Sequence, residues 1–276
     1  MNTTFLEDDV GAVLSAAFSE VDGEVYVVNP IGDSISDLVF RLHGLDDPPT
    51  VRLLAAKDPL KAAVADFIVA GHTADLVAAE TLSIRVLGET PKASLVVADD
   101  TVVSLVEGGD SVGGLTATDE AFVTEVRDRY ERSWAASDEF TLRTPPLSRV
   151  RETLATDLGE GTAADFDAVL DSLSVAKGDG EGIDEVTITL LVAARNGELL
   201  YDVSKWGEDV GIASKATFSR KKTQLEDSGL IDTEKVPIDV GRPRLRLRLG
   251  DDELAAADPA DLAGLVGERL AAERDR

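Results

Sequence analysis

The sequence predicts an α/β N-terminal domain with a mixed sheet, a helical connector and a C-terminal winged helix-turn-helix. Three observations carry this. The first half alternates short β-rich runs with amphipathic stretches and then doubles back in a hairpin, the order of a layered α/β fold. Thr144-Pro145-Pro146 interrupts the chain near its middle. Beyond residue 184 the order is helix, helix, turn, helix, hairpin.

Taken in order, Val10, Val13, Leu14, Ala17, Phe18 and Val21 recur at helical spacing over 10–21. A β-rich run over 24–28 stops at Asn29-Pro30. The helix expected over 34–42 can be capped by Asp33 or Ser34. Strand 51–55 precedes Asp58-Pro59 and a helix over 60–70, which Gly71 should end. Strands follow over 83–87, 94–98 and 101–106, the last two turning at Asp99-Asp100. Gly108, Gly109, Gly113 and Gly114 read as a loop that lacks the Gly-Lys-Thr/Ser of a phosphate-binding loop. A long helix over 118–136 completes the first domain, 1–143. The connector, 144–183, holds helices over 147–158 and 163–176 and a glycine-rich break over 178–182. The winged helix occupies 184–250, and 251–276 ends in an amphipathic helix.

Composition narrows the class. Among 276 residues, 53 acidic side chains against 27 basic ones leave a net charge of −26. Disorder does not follow, because 43% of the chain is hydrophobic and falls in periodic blocks. An acidic, strongly hydrated surface suits a salt-accumulating halophile. There is no cysteine, hence no disulfide or thiolate metal site. No apolar run approaches the roughly 20 residues that span a bilayer. Glu7, Asp8 and Asp9 stand where a secretory signal needs a basic and then an apolar region. A cytoplasmic protein with no membrane partner and no cofactor is expected.

Residues 184–249 carry the chemistry. Helices are expected over 186–196, closing at Gly197, and over 202–210, with Gly211 as the turn. A third runs over 215–228, capped by Ser214 and stopped by Gly229. Phe218 and Leu225, seven apart, share the core-facing stripe. Lys215, Thr217, Ser219, Arg220, Lys221 and Gln224 fall off it, giving a recognition helix its hydroxyls, amide and cations. Arg220 is the candidate for bidentate recognition of guanine. In the hairpin, Leu245, Leu247 and Leu249 alternate with Arg244, Arg246 and Arg248. Arg242 and Arg244 flank the tip beside Gly241, placed for a phosphate backbone or minor groove. Residues 204–248 hold ten bases and seven acids, a local +3 that leaves −29 for the remainder. The stretches 214–222 and 240–249 each contain four cations and no acid, and a polyanion is the simplest partner.

The runs Ser214-Lys215-Ala216-Thr217-Phe218-Ser219-Arg220, Leu225-Glu226-Asp227-Ser228-Gly229-Leu230-Ile231 and Gly241-Arg242-Pro243-Arg244 resemble winged-helix domains of archaeal transcription regulators. Taken whole, the chain resembles the haloarchaeal TbsP-like regulators, related in theme to the sugar-responsive TrmB family. That resemblance implies a regulator of central carbon or sugar metabolism that binds promoter DNA, and a homodimeric repressor or dual regulator is expected. The dimer surfaces are expected on the helices over 147–176 and on the C-terminal helix.

The N-terminal order resembles the phospholipase-D-like fold, whose catalytic members carry His-x-Lys-x4-Asp. Here Lys92-Ala93-Ser94 and Asp99 take those places, so the nucleophilic histidine is missing. His43 and His72, the two histidines present, are expected near helix ends in surface or capping roles. Asp46-Asp47 and Asp99-Asp100 read as turns rather than cation sites. A sensor domain follows partly by elimination. The loop holding Asn29, Gly32, Asp33 and Ser34, at a helix N-terminus, is the candidate for an anionic effector such as a sugar phosphate. Two alternatives stay open: a winged helix that binds protein instead of DNA, and an N-terminal enzyme with a regulatory tail.

Overall fold

The structure, a computed structural model, describes residues 4–7, 10–19, 23–31, 34–89, 91–109, 111–175, 183–239 and 241–274. The chain divides into two compact units, Met1–Leu142 and Arg143–Arg276.

The first unit is built on an eight-stranded sheet. Its strands are β1 (Thr4–Glu7), β2 (Glu24–Val28), β3 (Thr50–Ala55), β4 (Leu82–Val86), β5 (Ser94–Val97), β6 (Val102–Gly108), β7 (Ser111–Ala117) and β8 (Asp138–Glu139). They lie in the order β1-β7-β6-β5-β2-β3-β4-β8. The neighbours β2, β3 and β4 run parallel, and the other pairs are antiparallel, so the sheet is mixed as expected.

Strand periodicity divides the core in two. Val25, Val27, Val51, Leu53 and Ile84 point to one face. There they pack with α1 (Val10–Ser19), α2 (Ser34–His43), α3 (Lys57–Ala63) and α4 (Phe67–Ala78). Tyr26, Val28, Leu54, Val97 and Val102 point to the other, under Val123 and Tyr130 of α5 (Glu120–Ala136).

Three local expectations change. The helix over 60–70 is two helices, broken at 64–66, because Asp66 caps α4 by accepting from the amides of Ile68 and Val69 at 2.8 and 3.0 Å. Gly71 therefore lies buried inside α4 instead of ending a helix. Gly113 and Gly114 belong to β7, not to a loop. They pair with Leu6 and Phe5 on one side and Val106 and Leu105 on the other, and a ladder on both sides outweighs glycine's poor strand preference.

The second unit contains α6 (Leu147–Leu158), α7 (Glu160–Val175), α8 (Glu185–Asn196), α9 (Leu200–Val210), α10 (Lys215–Asp227), β9 (Ile231–Val236), β10 (Arg244–Leu249), α11 (Asp252–Ala256) and α12 (Pro259–Arg274). Helices α6 and α7, expected as a connector, are part of its body: α7 packs on α6, α8 and α12, and α6 on α9. The Trp206 indole N–H donates to the Thr153 hydroxyl at 3.0 Å, tying α9 to α6. Leu147, Val150, Leu154, Phe166, Leu170, Leu262 and Val266 are all buried. The apolar faces of these helices are thus packed within the second unit. The glycine-rich break at 178–182 lies outside the described residues.

Candidate nucleic-acid interface

The winged helix-turn-helix comprises α8, α9, α10 and the β9–β10 hairpin. Asp184 caps α8 through the Thr187 amide, and Ser214 caps α10 through the Thr217 amide at 3.2 Å. Between α9 and α10, Gly211 has φ +97°, a conformation that a side chain resists. The amides of Gly211, Ile212 and Ala213 all turn back onto the Gly207 carbonyl. Phe218 and Leu225 are buried as expected, and Phe218 packs directly over Gly207. Strand β10 pairs with β9 throughout and also bridges Leu199, with the Leu247 amide donating to the Glu198 carbonyl at 2.9 Å. The wing is anchored to the α8–α9 turn by this short third strand.

Seating Phe218 turns the opposite side of α10 to solvent. Lys215, Ala216, Ser219, Arg220, Thr223 and Gln224 are exposed. Thr217 is half-buried, and its hydroxyl lies 3.0 Å from that of Ser214. Ala216 and Thr223 were not among the expected contacts. A helical step of three or four from Ser219 and Arg220 reaches both.

The cations separate into groups that the sequence treated alike. Arg220 and Arg242 are exposed and make no ion pair among the described residues. Lys215 pairs with Glu208 at 3.0 Å, both about half exposed. Arg244 stacks over the Tyr201 ring, 3.8 Å from its centroid, and reaches Asp202 at 3.1 Å. It is held on α9 and does not swing freely at the tip. Lys221 is 23% exposed and pairs with Asp184 at 2.7 Å, so it joins α10 to the start of α8. A DNA contact by Lys221 competes with this ion pair. Burial pushes the Asp184 carboxyl up, but hydrogen bonds from Lys221 and Thr187 outweigh this and hold it below the usual aspartate range. Lys222 pairs with Glu226, and Arg248 with Glu234. The two acid-free stretches are therefore not acid-free in space. Exposed pairs of this kind are worth at most about 1 kcal/mol, so a phosphate can displace the carboxylates of Lys215 and Arg244.

In the first unit, Ser34 is buried and its hydroxyl donates to the Ile31 carbonyl. Asn29, at φ +49°, donates its side-chain amide to the Pro91 carbonyl at 3.0 Å. Both side chains are engaged within the fold, while Gly32 and Asp33 lie outside the described residues. His72 is buried inside α4, away from a helix end, and stacks on His43 with ring centroids 3.9 Å apart. Asp99 forms an ion pair with Arg127. Among the described residues, no three His, Asp or Glu side chains cluster as a metal site. No helix there is long and apolar enough to cross a membrane.

A capped helix on a two-helix platform, with a hairpin wing, defines the winged-helix class of nucleic-acid-binding folds. The chain belongs to the TbsP-like transcriptional regulators: the model of their N-terminal domain matches residues 2–145, and that of their C-terminal HTH domain matches 146–267. No curated protein matches in sequence. Among solved structures, TrmBL2, an archaeal chromatin protein with a novel mode of DNA binding, aligns at 13% identity and a TM-score of 0.37. That alignment spans 50% of this chain and 54% of TrmBL2. Nuc from Salmonella typhimurium, a phospholipase D family member, aligns at 11% identity and a TM-score of 0.36, over 51% of this chain and 99% of Nuc. Similarity at that level says nothing about activity.

Proposed function

We propose that this transcriptional regulator binds promoter DNA sequence-specifically, with α10 in the major groove and the wing along the backbone. The observation that carries this is Arg220: exposed, without a counter-ion among the described residues, and within two helical turns of an N-cap, on a helix fixed by buried Phe218. Ser219, Thr223 and Gln224 extend the same polar face. Ser214, Lys215 and Thr217 stand at the helix N-terminus, where amides and cations meet phosphates. Arg242 and Arg244 supply the wing.

In the finer reading, the protein works in a salt-rich cytoplasm as a homodimer on a two-fold-related site. It represses, or both represses and activates, genes of central carbon or sugar metabolism in response to a small anionic effector. The −26 charge supports the high-salt setting, and the few contacts of one winged helix in such salt support a dimer. The family resemblance supports the metabolic role. Selection from a random duplex library, repeated with Arg220→Ala, tests the DNA reading. One enriched motif for the parent, blurred for the variant, is expected. No enrichment by the folded parent refutes it. Light scattering in concentrated KCl tests the dimer.

A further inference from the structure

We propose that a cleft between α5 and the loop after β4 binds a small organic anion carrying a phosphate or carboxylate group. Its volume is about 430 Å³, within the range of metabolite sites. Leu87, Gly88, Pro91 and Lys92 form one wall, and Arg129, Tyr130 and Ser133 the other.

Three features point to an anion. Lys92 and Arg129 both line the cleft, and neither makes an ion pair among the described residues, in a chain whose acids outnumber its bases 53 to 27. Glu89 is the one acid among the described lining residues, so these carry a local excess of positive charge. Tyr130 is 6% exposed as a residue, and its hydroxyl makes no hydrogen bond to another described residue. That leaves the hydroxyl free to donate to a ligand oxygen in the cleft. Burial pushes the phenol pKa up against the opposing pull of Arg129, so the hydroxyl stays a neutral donor. Arg129 lies over the Tyr130 ring, 5.8 Å from its centroid, which gathers guanidinium and phenol on one side of the cleft. Ser133, half-buried one turn further on, adds a hydroxyl.

The loop wall is held in place: the Asn29 side-chain amide donates to the Pro91 carbonyl. Asn29, expected to touch an effector, instead braces the neighbouring cleft. Apolar Leu87, Pro91 and Ala136 leave room for a carbon skeleton beyond the charged group. That the ligand is an effector rests on the regulatory function above; that it binds does not.

Titration calorimetry on the full chain, without DNA, tests the proposal with inorganic phosphate, glucose 6-phosphate, 3-phosphoglycerate and citrate. Saturable binding of at least one organic probe is expected, at least tenfold weaker in Lys92→Ala/Arg129→Ala and several-fold weaker in Tyr130→Phe. Arg132→Ala, on the same helix but outside the cleft, should leave it unchanged. The phosphorylated probes and citrate separate the two kinds of anion. No saturable binding by any organic probe overturns the proposal, as does binding that survives intact in the double variant. Duplex binding measured in parallel keeps the two failures apart, since it reads α10 and not the cleft.

Discussion

Arg220 and Lys221 are neighbours with different surroundings. The first projects into solvent; the second is drawn back onto Asp184. Arg220→Ala should therefore weaken binding to the selected site by about 1–3 kcal/mol and relax the preference at one base pair, while thermal stability stays near the parent's. Lys221→Ala should lower stability and leave base preference intact. Fluorescence anisotropy on matched and mismatched duplexes, beside melting curves, separates them; equal loss of specificity in both variants contradicts this division. Asp184 adds a pH dependence. Its folded pKa lies below its unfolded value near 3.9, so its contribution is present above about pH 4 and is lost as pH falls through the folded value. Denaturation of the parent between pH 6 and 3 should lose stability more steeply than Asp184→Asn. Parallel curves would remove Asp184 from the acid response.

At the scale of elements, the α9–α10 crossing is set by the absence of a side chain. A Cβ at Gly207 would collide with the Phe218 ring. Gly207→Ala must push α10 outward or tilt the ring, at a cost of about 1–3 kcal/mol, and should weaken DNA binding even where the protein remains folded. Melting temperature and affinity measured together check this, and an unchanged melting temperature would show that the crossing relaxes freely. Ser214→Ala removes the α10 cap, for an expected loss of about 0.5–2 kcal/mol. Capping was legible here because it is local: Ser214 and the Thr217 amide are three residues apart. Gly71 misled for the same reason. A glycine inside a helix looks like a stop until the Asp66 cap shows where the helix begins.

The whole molecule is two units, and the helices over 147–175 belong to the second. A fragment of residues 143–276 should therefore fold cooperatively and keep the duplex preference of the full chain, while one beginning at 184 loses the α6 and α7 surfaces on which α8 and α9 pack. Circular dichroism melts and duplex titrations of the two fragments test the boundary. Equal stability of both would show that α6 and α7 are dispensable. Net charge acts at this scale too. Added KCl should raise melting temperature by screening the repulsion within a −26 chain, and should lower DNA affinity by competing for phosphates.

What depends on neighbours a few residues apart is already written in the chain. The β-rich runs of β2 and β3, the Phe218–Leu225 stripe, the Ser214 cap and the helix-helix-turn-helix-hairpin order are all local patterns, and each survives in the structure. What depends on residues far apart in the chain emerges from packing. Gly113 and Gly114 are strand because β1 and β6 pair with them. Lys221 and Arg244 are tied down because Asp184 and Asp202, from other helices, come to meet them. Lys92 and Arg129 share a cleft although 37 positions separate them. Helical and strand periods are written in consecutive residues; a charge's counter-ion is set by packing, which no local pattern records.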